Sequence, residues 1–557
     1  MTQIIQKARR RGYLAFVALI ASSGLVAVIP AVPVAATGCP TANTLNASSV
    51  GGGQSNFEID AAIADSTKLG AHAGANLTLD GGSTCIDWST KVAGLGTGTS
   101  ADATTGVIIK PDLPSGTGDD SFTQGTSENA TDPVIATGSI PPNKSDLQDF
   151  GVYKETNSSG KFLNLFWSRI NSPSGTVDMD FELNKVACDG TAATCSNNAP
   201  KGTNYSIPLR SSGDKLVTYD LANGGTVPTI SIYTWSGNST SGSWANGTVI
   251  SGGLGEALGS INFSSIASKD SVGLGTKDPL TFGEASISFK ALFGTGGSCG
   301  AFGSVYLKSR SSNTFTDELK DFILPQPVTL TNCTGLTTNA TAGPVTIGGS
   351  ISDTATLSGA SGPTGTMTFN AYSNAACTTS VFSISTTTLV GPDGSGNFTA
   401  SSGNFTPLAA GTYYWIASYG NDPNNAPATT KCLDANESSV IAPKQPGIVT
   451  TAGSATTFGN TVSDSATLSN TALEPDGVTK AQGSITFKLF GPSASPSCTN
   501  TNLVFTSSPF AVNGDGPYGP TSFTPTTAGT YYWIASYTGD LPNTKSATTA
   551  CGDTGET

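Results

Sequence analysis

Ten residues, Ala410-Gly-Thr-Tyr-Tyr-Trp-Ile-Ala-Ser-Tyr419, return unchanged at Ala528 to Tyr537. The two tryptophans, Trp415 and Trp533, lie 118 residues apart, and each sits between a pair of cysteines. A segment duplicated at that spacing folds twice into the same small unit, and each copy must bury its own hydrophobic face. The repeat therefore fixes the last part of the chain as two tandem modules, expected over residues 334–441 and 442–557.

Each copy reads as strands. Strict alternation places Tyr413, Trp415, Ala417 and Tyr419 on one face, with Tyr414, Ile416 and Ser418 on the other. Asp353-Thr-Ala-Thr-Leu-Ser matches Asp464-Ser-Ala-Thr-Leu-Ser, and Gly365-Thr-Met-Thr-Phe matches Gly483-Ser-Ile-Thr-Phe. β-Branched and aromatic residues dominate, helical spacing is missing, and Gly, Pro and Asn punctuate the strands. Short strands at that spacing predict an immunoglobulin-like antiparallel sandwich. The Gly-x-Tyr that opens the motif strand resembles the tyrosine corner of such folds, whose hydroxyl ties back to the main chain.

The cysteines fit this reading. Cys377–Cys432 and Cys498–Cys551 occupy equivalent places in the two copies, which predicts one disulfide per module. In the chain-entropy view, a loop of that size contributes roughly 4 kcal/mol. Proximity alone suggests Cys39–Cys85, Cys188–Cys195 and Cys299–Cys333 for the remaining six. All ten cysteines follow an N-terminal segment with Lys7, Arg9, Arg10 and Arg11, an apolar run from Tyr13 to Ile29, and the small triplet Val34-Ala-Ala36. That pattern predicts a signal peptide over residues 1–36 and an oxidising, extracellular destination, with membrane contact only during export. An uncleaved anchor and a lipidated Cys39 are the competing readings of the same segment. The formal net charge is −13, and becomes more negative once the leader's basic residues are gone. Nucleic acid, which demands the opposite sign, is excluded as a partner.

Residues 37–333 lack an internal period but continue in strands: Lys161-Phe-Leu-Asn-Leu-Phe-Trp, Val177-Asp-Met-Asp-Phe-Glu-Leu, Lys215-Leu-Val-Thr-Tyr-Asp-Leu and Gly303-Ser-Val-Tyr-Leu. One large, jelly-roll-like antiparallel sandwich is expected, broken only by a short helix or turn near Asp317 to Asp321. Phe57-Glu-Ile-Asp, Asp119-Asp-Ser-Phe, Gly138-Ser-Ile-Pro-Pro-Asn-Lys, Met179-Asp-Phe-Glu, Tyr219-Asp-Leu-Ala-Asn-Gly-Gly and Tyr306-Leu-Lys-Ser-Arg-Ser-Ser follow one another in that order. Together they resemble a large module of secreted and wall-attached actinobacterial proteins, where it commonly precedes immunoglobulin-like or prealbumin-like repeats. The resemblance implies a cell-surface or secreted protein of adhesin-like architecture, and no catalytic residues.

Candidate chemistry is sparse. In Val177 to Leu183, Met179 and Phe181 point to the core, which leaves Asp178, Asp180 and Glu182 as an acidic row on the other face, expected to meet solvent. The row resembles the carboxylate strand of jelly-roll glycoside hydrolases, where two acids act as nucleophile and acid/base. Asp178 stands where those enzymes use Glu. A Ser-His-Asp triad would have to draw on His72, the only histidine, set in a run of small residues. With no C-x-x-C and one histidine, a zinc site has no ligand set. Oxygen-rich loops at Asp112, Asp119 and Asp120, and at Asp422, Asn424 and Asn425, suit Ca2+, although the same residues build ordinary turns. Trp235 and Trp244, flanking a Ser/Gly/Asn turn, are candidates for a sugar-stacking platform. The expectation is a non-enzymatic binding protein that requires no cofactor. Its N-terminal domain would meet an extracellular protein or glycan ligand, and a carbohydrate-active enzyme built on Asp178, Asp180 and Glu182 is the alternative.

Overall fold

The computed structural model describes residues 44–46, 53–61, 86–88, 100–102 and 107–557, apart from short stretches at 115, 117, 139–142, 158, 173–176, 192, 197–206, 222–227, 269–270, 272 and 295–298. The expected signal peptide (1–36), His72 and the Cys39–Cys85 pair lie outside the described residues.

The N-terminal strands are β1 (Thr44–Asn46), β2 (Gln54–Glu58), β3 (Ser100–Asp102), β4 (Val107–Pro111), β5 (Asp120–Phe122) and β6 (Ile135–Thr137). Next come β7 (Leu147–Asn157), β8 (Gly160–Arg169), β9 (Val177–Asn184), β10 (Lys215–Leu221) and β11 (Thr229–Gly237). The domain ends with β12 (Gly242–Val249), β13 (Ala257–Ile261), β14 (Phe282–Ser288), β15 (Ala301–Arg310) and β16 (Leu319–Thr331). One sheet runs β12-β11-β10-β9-β15-β16-β5-β6, and the other runs β13-β14-β8-β7-β4-β3. Phe150, Leu163, Leu165 and Trp167 from the second sheet meet Met179, Phe181, Val217, Leu307 and Ile323 from the first in one apolar core. The domain is thus an all-β sandwich, as the alternation implied. β8 is buried on both faces, because Phe57 and Trp88 pack over Phe166 on its outer side.

The expected break near Asp317 to Asp321 is misplaced. The chain turns at Phe315 and Thr316, and Leu319, Lys320 and Asp321 already open the longest strand, β16. Among the described residues, a helix lies instead at α1 (Phe289–Phe293), where Ser288 caps the first turn by accepting from the Ala291 N–H at 3.2 Å. Phe289 and Leu292 anchor this helix to the core, a tertiary contact that so short a segment does not announce.

Each module forms two facing sheets. In the first, Gly335–Ala340, Asp353–Ser358 and Phe398–Ser401 face a sheet centred on Thr366–Tyr372 and Gly411–Gly420. In the second, Gly447–Ala452, Val462–Ser469 and Gly516–Phe523 face a sheet centred on Ser484–Phe490 and Tyr532–Tyr537. Trp415 packs with Met367, Phe369 and Leu357, and Trp533 with Ile485, Phe487 and Leu468. Both indoles are buried, as expected for core anchors. The Tyr413 hydroxyl donates to Ala409 O at 2.7 Å and Tyr531 to Thr527 O at 2.8 Å, a tie four residues back in both copies. Disulfides join Cys377 to Cys432 and Cys498 to Cys551, with Cα separations of 6.0 and 5.9 Å. Cys188–Cys195 and Cys299–Cys333 also form, at 4.9 and 4.5 Å.

The neighbouring units touch through polar clamps. Ser361 Oγ donates to Asn157 O and Gly160 O at 2.7 and 2.8 Å, linking the first module to the β7–β8 turn. Between modules, Asn543 Nδ2 donates to Leu408 O at 2.8 Å and to Leu473 O at 2.7 Å, and its Oδ1 accepts from Ala410 N–H at 2.7 Å.

Candidate functional site

The acidic row of β9 is not a wet face. Asp178, Asp180 and Glu182 are all completely buried. The pairing of β9 with β15 explains the cover: Tyr306, Lys308 and Arg310 lie directly opposite Glu182, Asp180 and Asp178. Side chains opposite one another in an antiparallel pair share a face, so Tyr306 and two cations line up beside the acidic row. Arg310 grips Asp180 with two hydrogen bonds, Nε to Oδ2 at 2.8 Å and Nη2 to Oδ1 at 3.1 Å. Arg210 grips Glu182 in the same fork, at 2.9 and 2.8 Å. Lys308 Nζ adds a contact to Glu182 at 2.6 Å and also binds Glu128, while the Tyr306 hydroxyl donates to Glu182 at 2.8 Å.

Trp235 and Trp244 complete this cover. They pair across β11 and β12 with ring centroids 5.2 Å apart, and the Arg210 guanidinium lies 4.8 and 5.0 Å from their rings. Trp244 Nε1 donates to Glu128 at 3.0 Å. The exposed stacking platform expected of these rings is not formed: Trp235 is 0% exposed and Trp244 6%, with their faces against a cation. Desolvation makes such cation–π contacts stronger than on a surface.

Electrostatics divides the row. Burial by itself would raise the Glu182 carboxyl, but Arg210 and Lys308 outweigh it and hold the group well below the usual carboxylate range. Asp178 is pushed up to about 8 by burial and by the neighbouring Asp220 and Asp180, so at neutral pH it is mostly protonated. Glycosidase chemistry asks for the reverse at the acid/base residue, a raised pKa facing a cleft. Here Glu182 is locked as an anion behind buried cations, and the arrangement acts as a brace between β9, β15 and the 128–130 and 210 segments. The signal for it lay in the Tyr306-Leu-Lys-Ser-Arg310 stretch, whose alternation puts cations on one face, as β9 does with acids.

A second acidic group is built differently. One carboxylate oxygen from each of Asp112, Asp119 and Asp321 lies within 4.8 Å of the others. Asp112 follows β4, Asp119 precedes β5, and Asp321 stands in β16, so both sheets contribute. Asp321 Oδ2 accepts from Leu147 N–H at 2.8 Å and Oδ1 from Phe322 N–H at 2.9 Å. Asp112 Oδ1 accepts from Leu113 N–H at 3.0 Å, and its Oδ2 has no partner. Asp119 is 1% exposed, and neither of its oxygens has a hydrogen-bond partner. The carboxyls of Asp112 and Asp119 are pushed up to about 8 and about 6, by burial first and by neighbouring carboxylates second. Of the loop expected to bind Ca2+, Asp112 and Asp119 come together but Asp120 stands outside the group, since successive residues of an extended chain point to opposite sides. Asp321 takes its place, from a strand far along the chain.

The other loop is spent on its own turn. Asp422 accepts from Thr364 N–H at 2.8 Å and Gly365 N–H at 3.1 Å through Oδ2, and from Asn424 and Asn425 N–H at 2.7 and 3.0 Å through Oδ1. Asn425 bonds Ser361 in both directions, at 2.9 and 3.0 Å. Both carboxylate oxygens of Asp422 thus close a turn, instead of turning outward to an ion as the Ca2+ expectation required.

The repeat hides a further pair that sequence reading passed over. Cys432-Leu-Asp434-Ala-Asn-Glu437 and Cys551-Gly-Asp553-Thr-Gly-Glu556 share one spacing, and the glutamates feel the charge of Asp353 and Asp464 in the matched strands. All four of these carboxyls are buried, with an unpartnered oxygen on each. Burial first, and the nearby aspartates second, raise Glu437 and Glu556 to about 8, and burial raises Asp353 to about 6 and Asp464 to about 7.

No protein-family model matches the chain, and no curated protein matches it. Among solved structures, a marsupial T cell receptor is similar over 73% of this chain and 99% of its own, at 10% identity and a TM-score of 0.23. Likeness at that level carries no argument about what this chain does. Among the described residues, no helix is long and apolar enough to cross a membrane.

Proposed function

We propose that this is a secreted or surface-associated, non-enzymatic protein of adhesin-like architecture. The N-terminal sandwich contacts an extracellular protein or glycan, and the two modules hold it away from its point of attachment. The observation that supports the reading is the burial of Asp178, Asp180 and Glu182 against Arg210, Lys308 and Arg310, a setting that suits a structural brace better than the carboxylate pair of a glycosidase. Repeated disulfide-closed modules suit a spacer, since tandem units of this kind stack without a common core. The actinobacterial resemblance and the leader-like N-terminus support the placement outside the cell.

The test uses the mature chain, residues 37–557, on arrays of glycans and extracellular-matrix proteins, with a reducing-sugar assay run in parallel. Retention of a ligand without sugar release is the expected result. Sugar release that disappears in Glu182→Gln would overturn the proposal and restore the enzyme reading.

A further inference from the structure

We infer that Asp112, Asp119 and Asp321 form a Ca2+ site that ties the two sheets of the N-terminal sandwich together. The decisive group is Asp119. A carboxylate withdrawn from water needs hydrogen bonds or a counter-charge, and this one is 1% exposed with both oxygens unpartnered, aimed at two further carboxylates. Glu182 shows how the same domain satisfies a buried acid when it intends a closed brace: it supplies Arg210, Lys308 and Tyr306. Asp119 is left with nothing of the kind.

The chemistry of the ligands selects the ion. All three offer hard oxygen, so softer metals that prefer thiolate or imidazole are disfavoured. The ligand oxygens lie within 4.8 Å of one another, which is the span of two oxygens on opposite sides of one ion at the ~2.3–2.6 Å typical of Ca2+. Mg2+ demands a strict octahedron at ~2.0–2.1 Å and gives up its water reluctantly, so a group of carboxylates brought together from two loops and a strand suits the more adaptable Ca2+ better. Placement gives the ion a task. β4 belongs to one sheet, β5 and β16 to the other, and β5 meets β16 through the single registered pair Asp321↔Ser121. A cation here fastens the weakly paired β5–β6 hairpin and the 112–119 loop to both layers.

The experiment takes the mature full-length chain, strips it with a chelator, and measures metal content and melting with Ca2+ or Mg2+ restored. One Ca2+ per chain is expected after dialysis. The N-terminal transition should rise by about 5 °C at millimolar Ca2+ and far less with Mg2+, because binding to the native state alone stabilises it. Asp119→Asn should weaken Ca2+ binding about ten-fold or more and erase the calcium-dependent rise, leaving the module transitions in place. If that variant does not fold, Asp112→Asn, at a half-buried position, serves instead and should show the same loss. Absence of bound Ca2+ with an unchanged melting curve overturns the inference, as does wild-type binding by either folded variant. A site that binds Ca2+ says nothing for or against the array result, so the two proposals fail separately.

Discussion

Glu182 and Asp119 are both carboxylates buried in the N-terminal sandwich, but Glu182 accepts five hydrogen bonds from four side chains while Asp119 accepts none. The first sits on a central strand whose neighbours, by register, carry the cations that neutralise it. The second sits in a loop where two sheets meet and only other acids converge. A buried charge that brings its own counter-charge is part of the scaffold, and one that does not is a place where something from outside can act. The modules add a third solution, acid pairs in which the glutamate stays mostly protonated at neutral pH.

The strongest way to break this contrast is to remove a cation from the brace. Lys308→Met leaves Arg210 as the one cation shared by the buried Glu128 and Glu182, and should cost ~3 kcal/mol in guanidinium unfolding of the N-terminal domain. A loss under about 1 kcal/mol would mean that the brace is hydrated and the contrast false.

Next in size is the clamp between modules. Asn543 is 2% exposed and joins Leu408 and Ala410 of one module to Leu473 of the other. Asn543→Ala should cost about 2 kcal/mol through unsatisfied backbone groups. In calorimetry, the two module transitions should separate further in the variant than in the parent. Unchanged spacing would show the clamp to be idle.

The acid pairs give a pH dependence of opposite sign to that of Glu182. Their native pKa values of about 6 to 8 stand above the ordinary 3.8 and 4.5, so the native state holds protons that the unfolded chain releases. The stabilisation is complete below about pH 4 and is lost as pH rises through 6 to 8. Module melting should fall between pH 5 and pH 8.5 by at least the equivalent of about 1.4 kcal/mol. Glu437→Gln should flatten the curve of the first module alone. Stability that climbs over that range would contradict the assignment. Glu182, held low, contributes stability that is present above its ordinary 4.5 and lost only in strong acid.

The smallest effect carries the sharpest sign. In chelated protein, Asp119→Asn should stabilise the N-terminal domain slightly, by under ~1 kcal/mol, because it removes a charge that nothing offsets. Glu182→Gln should destabilise it. Equal signs in urea titrations of the two variants would erase the distinction drawn between them.

Much of the modules was legible beforehand. The duplicated strand, the tyrosine tie and both disulfides depend on local alternation and on equivalence between copies, and a repeat states these twice. The acid pairs were equally visible in the spacing after Cys432 and Cys551, yet a glutamate beyond a cysteine reads as surface until the fold shows it buried. In the N-terminal domain, alternation sorted β9 into two faces correctly. It could not tell that both were dry, because burial of the outer face depends on the indoles of β11 and β12 and on the 128–130 segment. The acidic cluster was legible only in part for a similar reason: Asp112 and Asp119 are near in sequence, whereas Asp321 arrives only when β16 pairs with β5.

The sequence by itself determined the all-β class, the tandem modules and their two disulfides, because these follow from periodicity, turn residues and duplication within short reach. Tertiary structure alone decided which charges are neutralised by partners, which by protons, and which stand open to an ion. That choice depends on the register between strands distant in the chain and on whether a layer lies over the face, and neither quantity is written in local spacing.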